Sequence, residues 1–554
     1  MKKPTFILLF LWVNIFSYAN TLHKPVVATS ITEDSKTLSK SFVSDPPAVT
    51  VIPDANGIVY INASAVSGGD GSSWSHALDS LNTALNAALT NTSIKQIWVA
   101  EGTYQPGLNG AFFMVENVSI YGGFSGNETS LNQRNLSAGL KSVLEGNSNS
   151  VFINNRNGLT KSAVLNGFTI TGGNGNNGGG MSNTGVSPTI TNCTFIDNKV
   201  SFNGGGMYNN QASPILSDCI FFKNNAGNGG GISNDSSSAP LLNNCSFYEN
   251  TASAGGGGQN NNTSSAIFMN CNFSGNSASL GAGIQNINSS PTLTNCGFTG
   301  NNVSIGQGSG MYNQNASPTL LNCTISGNNA LAGNGGGMYN QNSSPVITNS
   351  IIWGNSDGID NSNGSAPDIT YSSVQGLTGG GSGNLSGSIN PLFRNAPDYT
   401  TAPFTNGNYQ LLAGSLCTNA GNNAALGATD TVDLAGGRRI VGGIVDLGAY
   451  EDQYLVSPGV GGIVYVNAAS TGGNGSSWSS AIDSLNIALD AAKTDTSIHQ
   501  IWVVQGTYSP ASGESFTMDK NVEIYGSFKG TEAEISQRNL QSGLTSILKG
   551  NGST

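Results

Sequence analysis

Asp197, Lys199 and Lys223 are the nearest this sequence comes to a reactive cluster: a carboxylate and two ammonium groups, with Lys223 one 26-residue step after Asp197. General acid or base catalysis needs a titratable group within hydrogen-bond reach of a substrate, and this trio could supply one. The surroundings favour the plainer reading of solvated rim charges. The first repeats carry only Asp197, Lys199, Asp218, Lys223, Asp235 and Glu249, and the 106 residues from Thr251 to Ser356 contain no Asp, Glu, Lys, Arg or His. A second group, Asp430, Asp433, Asp446, Glu451 and Asp452, stands near Arg438 and Arg439. Calcium takes six to eight oxygens, so this group could form a structural calcium site. It lacks a dense alternating Asp pattern, and ion pairing is the expectation. No catalytic, cofactor-binding or metal-binding residue is assigned, and no cofactor is expected.

Other reactive residue types recur in a duplicated segment, residues 58–147 matching 463–551. His76 becomes Ser480 in the second copy, which points to a surface position. Asp79, Glu128 and Arg134 return as Asp483, Glu532 and Arg538, expected as helix-end or turn salt bridges. Trp74 and Trp98 return as Trp478 and Trp502. Trp can stack on sugar rings, but packing within a cap is the expectation.

The remaining signal is periodic. Cys193, Cys219, Cys245, Cys271, Cys296 and Cys323 are separated by 26, 26, 26, 25 and 27 residues. Two residues later come Phe195, Phe221, Phe247, Phe273 and Phe298, continued by Ile325 and Ile352. Three further on stand Asn198, Asn224, Asn250, Asn276, Asn301, Asn328 and Asn355. Gly-rich turns lead into Met181, Met207, Ile232, Ile284, Met311 and Met338, with Gln259 the polar interruption, and Asn183, Asn209, Asn234, Asn261, Asn286, Asn313 and Asn340 follow two residues on. Within a unit, apolar residues at Leu320, Cys323 and Ile325 slip by one from strict alternation. A bend must lie between, and Asn322 is the residue there that best tolerates a left-handed backbone. Units of this size cannot bury an apolar face alone, but stacked copies can. The reading is an all-β parallel solenoid with internal ladders of Leu, Cys, Phe and Asn, each about 4.8 Å per step. Stacked cysteines in register point the same way and are poorly placed for the near-90° dihedral of a disulfide, so buried free thiols are expected. Cys417 lies outside the ladder.

Composition agrees. The 554 residues include 76 Gly, only 9% are charged, and the formal net charge is -11, which disfavours nucleic acid as a partner. Lys2 and Lys3 precede an apolar run from Phe6 to Phe16, followed by Ser17 and Ala19, the pattern of a secretory signal. The run is too short for a membrane anchor, which needs about 20 apolar residues, and no transmembrane segment is expected in the mature chain. Residues 20–57 read as a flexible lead-in. In the duplicated module, Leu78, Leu81, Leu85 and Leu89 with Ala84 and Ala88 follow helical spacing after a candidate N-cap at Ser75, and this short helix is expected to cap the open end of the solenoid.

Two resemblances follow from these motifs. GGGMYNN at 204–210 and FFKN at 221–224, recurring through about 180 residues, resemble the repeat of the polymorphic outer-membrane proteins, which implies a right-handed parallel β-helix on a bacterial surface. NPLF at 390–393 and DLAGGRRIVGGIVDLGAYE at 433–451 resemble the choice-of-anchor Q segment, which implies surface delivery. Parallel β-helices also resemble pectin-lyase-like enzymes, a likeness that implies clustered carboxylates for calcium or acid catalysis and a Lys or Arg base on nearby rungs; Asp197, Lys199 and Lys223 are the closest match. The expected organisation is a signal peptide at 1–19, a lead-in at 20–57, a cap with first rungs at 58–150, the β-helix at 151–380, the anchor-type segment at 381–452 and a truncated second copy at 453–554, as in a fragment of a longer protein. The expected function is that of an exported, non-catalytic adhesin or envelope protein, secreted or held at the outer-membrane surface. It would present an Asn/Ser/Thr-rich face to polysaccharide or to a host or neighbouring cell. A polysaccharide lyase or glycoside hydrolase of the same fold is the alternative, and a purely structural spacer a third.

Overall fold

The computed structural model describes residues 50–550 apart from 108–109, 135, 137–141, 156–157, 331–333, 413, 442, 454–455, 471–472, 511–514, 519–520 and 542. The expected signal peptide and most of the lead-in lie outside the described residues. Among those described, no helix is long and apolar enough to cross a membrane.

The chain is a parallel β-solenoid. Three sheets of short strands run along it: a first of 12 strands from Ile58–Ile61 to Asp368–Thr370, a second of 11 from Gly102–Tyr104 to Ser373–Val374, and a third of 9 from Phe152–Asn154 to Ile359–Ser362. A short fourth sheet joins Asn225–Asn228 to Asn302–Val303. Each strand pairs in parallel with its counterpart one rung away, so like residues meet: Phe195 with Phe221, Leu216 with Leu242, Met311 with Met338. Gln259 takes its place in the Met/Ile column between Ile232 and Ile284, fully buried, its amide donating to Asn261 Oδ1 at 3.0 Å.

The bend anticipated at Asn322 is a column. Asn192, Asp218, Asn244, Asn270, Asn295, Asn322 and Asn349 all hold φ between 50° and 55°, a left-handed conformation that Asn and Asp reach at least cost after Gly. Inside, rings of Phe195, Phe221, Phe247, Phe273 and Phe298 stack 4.5–4.9 Å apart and within 6° of parallel. Burial of each such ring contributes about 1.5–3 kcal/mol. The Asn198-to-Asn355 column is fully or almost fully buried, each amide Nδ2 donating to the next Oδ1 at 2.8–3.0 Å. The Asn183-to-Asn340 column forms a second buried ladder at 2.9 Å per step. All seven cysteines are buried and free, and burial pushes the thiols of Cys193, Cys219, Cys245 and Cys296 up.

Before the rungs, helix α1 (Leu81–Ala88) buries Leu81, Ala84, Leu85 and Ala88 in the same core as Val59, Ile61 and Ile97. Its N-cap is Ser80, whose Oγ accepts from Thr83 N, and not Ser75, which sits in a 3-10 turn at Trp74–His76. Leu78 bridges to Ile61 as extended chain and Leu89 is the C-cap, so the helical spacing overran the helix at both ends. The second copy repeats the module, with α2 at Leu485–Thr494. Trp74 and Trp478 each donate to the carbonyl of Glu128 or Glu532, at 2.8 and 2.7 Å.

The expected salt bridges at the duplicated charges take another form. Glu128 accepts backbone N–H groups of Ser125, Gly126 and Asn127, as Glu532 does those of Lys529, Gly530 and Thr531. Arg134 donates to Gly122 O and lies 5.3 Å from the Tyr121 ring centroid, and Arg538 repeats both contacts on Gly526 and Tyr525. Asp79 accepts from Ser67 Oγ at 2.9 Å. A carboxylate can satisfy several turn amides at once, which fixes a tight turn better than one flexible ion pair.

Candidate functional site

The outward side chains of the second sheet form two columns. One passes through Val143, Thr169, Thr194, Ile220 and Ser246; the other through Glu145, Thr171, Ile196, Phe222 and Tyr248. Both continue onto rungs whose outward residues Ser274, Thr299, Thr324, Ser326 and Ile351 are buried. What buries them is the segment after the rungs, docked across the sheet.

The docking uses the left-handed Asn column as a row of clamps. Asn295 Nδ2 donates to Val432 O at 2.9 Å, while Asn349 accepts from Asn422 N at 2.8 Å and donates back to Asn422 O at 3.1 Å. Gly448 N donates to Asn349 O at 2.7 Å, Ala449 N to Thr324 Oγ1 at 2.9 Å, and Phe404 N to Gly300 O at 3.0 Å. Cys417 belongs to the apolar cluster under this cover, with Ile351, Leu411 and Leu447.

The carboxylates expected to pair near Arg438 and Arg439 lie within the cover. Arg439 and Glu451 form an ion pair at 2.9 Å, both about 1% exposed, and Arg439 also donates to Asn295 Oδ1 and Gly448 O. Asp433 accepts from the N–H groups of Ala435, Gly437 and Glu451, and Asp446 from Asn419 N. Burial pushes Asp446 up to about 6 and, with the Asp446 charge beside it, Glu451 up to about 7. Asp430 stands apart, accepting from Gly427 N. These oxygens are taken up by backbone amides and one guanidinium, and among the described residues no carboxylate, His or Cys group is arranged to hold a metal ion.

The charged residues singled out in the sequence gather on the uncovered side. Asp197, Lys223 and Glu249 occupy one left-handed turn column, at φ 53°, 55° and 50°, directly after Ile196, Phe222 and Tyr248. Lys223 Nζ stands 3.7 Å from Glu249 and 4.7 Å from the Phe222 ring centroid. At half exposure this pair contributes under about 1 kcal/mol. Lys199 is exposed on the strand-like bridge to Asn225. Asp218 lies at the opposite corner, accepting from Asn244 Nδ2 at 2.6 Å.

Under the cover the same turn column becomes Gly275, Gly300, Gly327 and Gly354. A Cβ at Gly300 would lie 2.4 Å from Phe404 O and 2.5 Å from its ring, and one at Gly327 2.6 Å from the same ring. Glycine permits close approach of the cover, and charged residues keep the open face clear. Where the two meet, Glu249, Thr251, Gly275 and Ser277 line a cavity of about 440 Å³ with Pro403, Phe404 and Thr405.

The site therefore has an aliphatic and aromatic floor, Ile196, Ile220, Phe222 and Tyr248, edged by turns that carry Asp197, Lys223 and Glu249. That combination suits apolar ring faces bearing hydroxyls. The two strongest Asn columns are buried ladders, so an Asn/Ser/Thr-rich face that meets a partner has to be drawn from other residues. Trp98, 3% exposed, stacks on Phe124 at 4.6 Å, and Trp74 packs on Tyr60 and Phe124. His76 is exposed, its Nδ1 within 3.1 Å of Ser73 and Ser75 hydroxyls. Ile196, Phe222 and Tyr248 had a sequence signal: they follow the Phe column by one residue, where later rungs have Ser274, Thr299 and Ser326. The loop at Phe404 had none.

No family model and no curated protein matches this chain. Among solved structures it is similar to pectate lyase Pel9A, with 14% identity and a TM-score of 0.41 over 73% of this chain and 98% of that one. It is also similar to the tailspike protein gp49 of Acinetobacter baumannii bacteriophage Fri1, a capsular polysaccharide depolymerase, with 12% identity and a TM-score of 0.28 over 58% of this chain and 59% of that one.

Proposed function

We propose that this chain is an exported, non-catalytic surface β-helix that binds glycans on the open stretch of its second sheet. The observation that carries the reading is the half-buried Ile196–Phe222–Tyr248 column, flanked by the exposed Asp197, Lys223 and Glu249 and left partly open where Ser274, Thr299 and Ser326 of the later rungs are sealed. Sugar rings offer an apolar face for aromatic contact and hydroxyls for hydrogen bonds to charged side chains. Export rests on Lys2, Lys3 and the apolar run to Phe16. Display at a cell surface rests on the likeness of the repeats to polymorphic outer-membrane proteins and of 390–451 to choice-of-anchor Q. Against catalysis stands the pairing of Lys223 with Glu249 and the lack of any Asp, Glu, Lys, Arg or His over residues 251–356.

The test incubates the chain with dextran, pullulan, laminarin and polygalacturonate, with and without calcium, and follows both retention and new chain ends. Retention without cleavage, reduced about tenfold or more by Phe222→Ala, is the expected result. Calcium-dependent cleavage abolished by Lys223→Ala would replace this reading with a polysaccharide lyase.

A further inference from the structure

Resting on that glycan reading, we infer that the open groove takes the end of a polysaccharide chain and not its middle. The groove floor runs rung by rung from Val143 and Glu145 to Ser246 and Tyr248. One step further the cover closes over the Tyr248 column of the floor, with its Pro403–Phe404–Thr405 loop lying on the Gly275 and Gly300 turns beside it. Phe404 is fastened by its N–H to Gly300 O, a Cβ on Gly275 would meet Thr405 Cγ2 at 2.8 Å, and of the two next outward residues Ser274 is fully buried and Asn272 half-buried. The turn before the loop is closed by Asp398, which accepts from Thr400 N and Oγ1, both at 2.8 Å. A polymer lying along the floor meets a fixed wall here.

The chemistry at the wall fits a terminus. An internal sugar has a glycosidic oxygen where a terminal sugar has a free hydroxyl, which can donate as well as accept. A cavity of roughly 440 Å³ opens just past the Glu249 turn at that end of the floor, lined by Glu249, Thr251, Ser277 and Thr405. A carboxylate accepts from a hydroxyl but gains nothing from an ether oxygen, so a sugar whose linkage position faces Glu249 is favoured there when that position is a free chain end.

The experiment measures binding of size-fractionated dextran, pullulan, laminarin and polygalacturonate by calorimetry, expressed per mole of chain. A terminus binder saturates at one protein per chain, with affinity constant within about twofold across a tenfold range of length. A binder of chain interiors gains sites and apparent affinity in proportion to length, about tenfold over the same range. Glu249→Gln, which keeps shape and removes charge, is expected to weaken binding about tenfold while leaving one protein per chain. Length-proportional stoichiometry in a polymer whose binding Phe222→Ala still removes overturns the terminus inference and leaves the glycan reading standing. No binding to any of the four overturns both.

Discussion

An asparagine side chain carries a donor and an acceptor, so in a parallel stack it can bond to copies of itself without limit. Asn250 shows what one member does: its Nδ2 donates to Phe221 O and Asn276 Oδ1, and its Oδ1 accepts from the backbone and side chain of Asn224. Asn250→Ala would remove four hydrogen bonds from a fully buried site, and a loss of about 3 kcal/mol or more is expected in urea denaturation. Asn243→Ala, on the half-buried outer column, should cost under about 1 kcal/mol. The thiols give a second residue-scale prediction. With all seven cysteines buried and burial raising the thiols of Cys193, Cys219, Cys245 and Cys296, a disulfide exchange reagent at pH 8 should label none in the native protein and all seven in denaturant. Rapid labelling of native Cys193 or Cys417 would contradict the packing.

At the scale of elements, the cover is held by complementarity between a glycine column and one loop. Gly300 has φ 61°, and any side chain there meets Phe404. Gly300→Val should therefore raise hydrogen exchange at the Phe404 and Gly448 amides while leaving the Phe195–Phe247 rungs protected. The buried carboxylates give the cover a pH dependence. Asp446 and Glu451 titrate at about 6 and about 7 when docked, above their unfolded values of about 4. The docked form thus holds protons that the released form gives up, and stability falls as pH rises between these limits. Their contribution is complete below about pH 4 and is lost as pH rises through 6 and 7. Protection factors at Gly448, corrected for intrinsic exchange, should be greater at pH 5 than at pH 8. Asp446→Asn should flatten that difference; an unchanged slope would remove Asp446 as its source.

For the whole molecule, one apolar core runs unbroken from Val51 to Val374, while the second copy of the module has a core of its own, from Val464 to Val522. Arg394 and Asp490 form an ion pair between the cover and α2. Separate cores with polar contacts between them predict separate transitions. Calorimetry should resolve a smaller endotherm for the second module, shifted down by Asp490→Ala, beside a larger one for the stacked rungs. A single transition insensitive to that substitution would mean the two cores unfold together.

The sequence by itself determined the solenoid. A parallel stack places residue i on residue i plus one rung, so each column must suit itself as a neighbour, and that self-compatibility is written as the 26-residue recurrence of Cys, Phe and Asn. The bend at Asn322 was legible for the same reason, since every rung repeats it. The limits of α1 were less so, because Leu78 and Leu89 keep helical spacing while serving a bridge and a cap. Which surface stays open was decided only by tertiary structure. The contacts of Phe404 with Gly300, of Val432 with Asn295 and of Arg439 with Glu451 join unlike residues once each, and an aperiodic contact leaves no recurrence to read. The replacement of Asp197, Lys223 and Glu249 by Gly275, Gly300, Gly327 and Gly354 is visible in the sequence, but it acquires meaning only when the cover is seen lying on the glycines and stopping at Glu249.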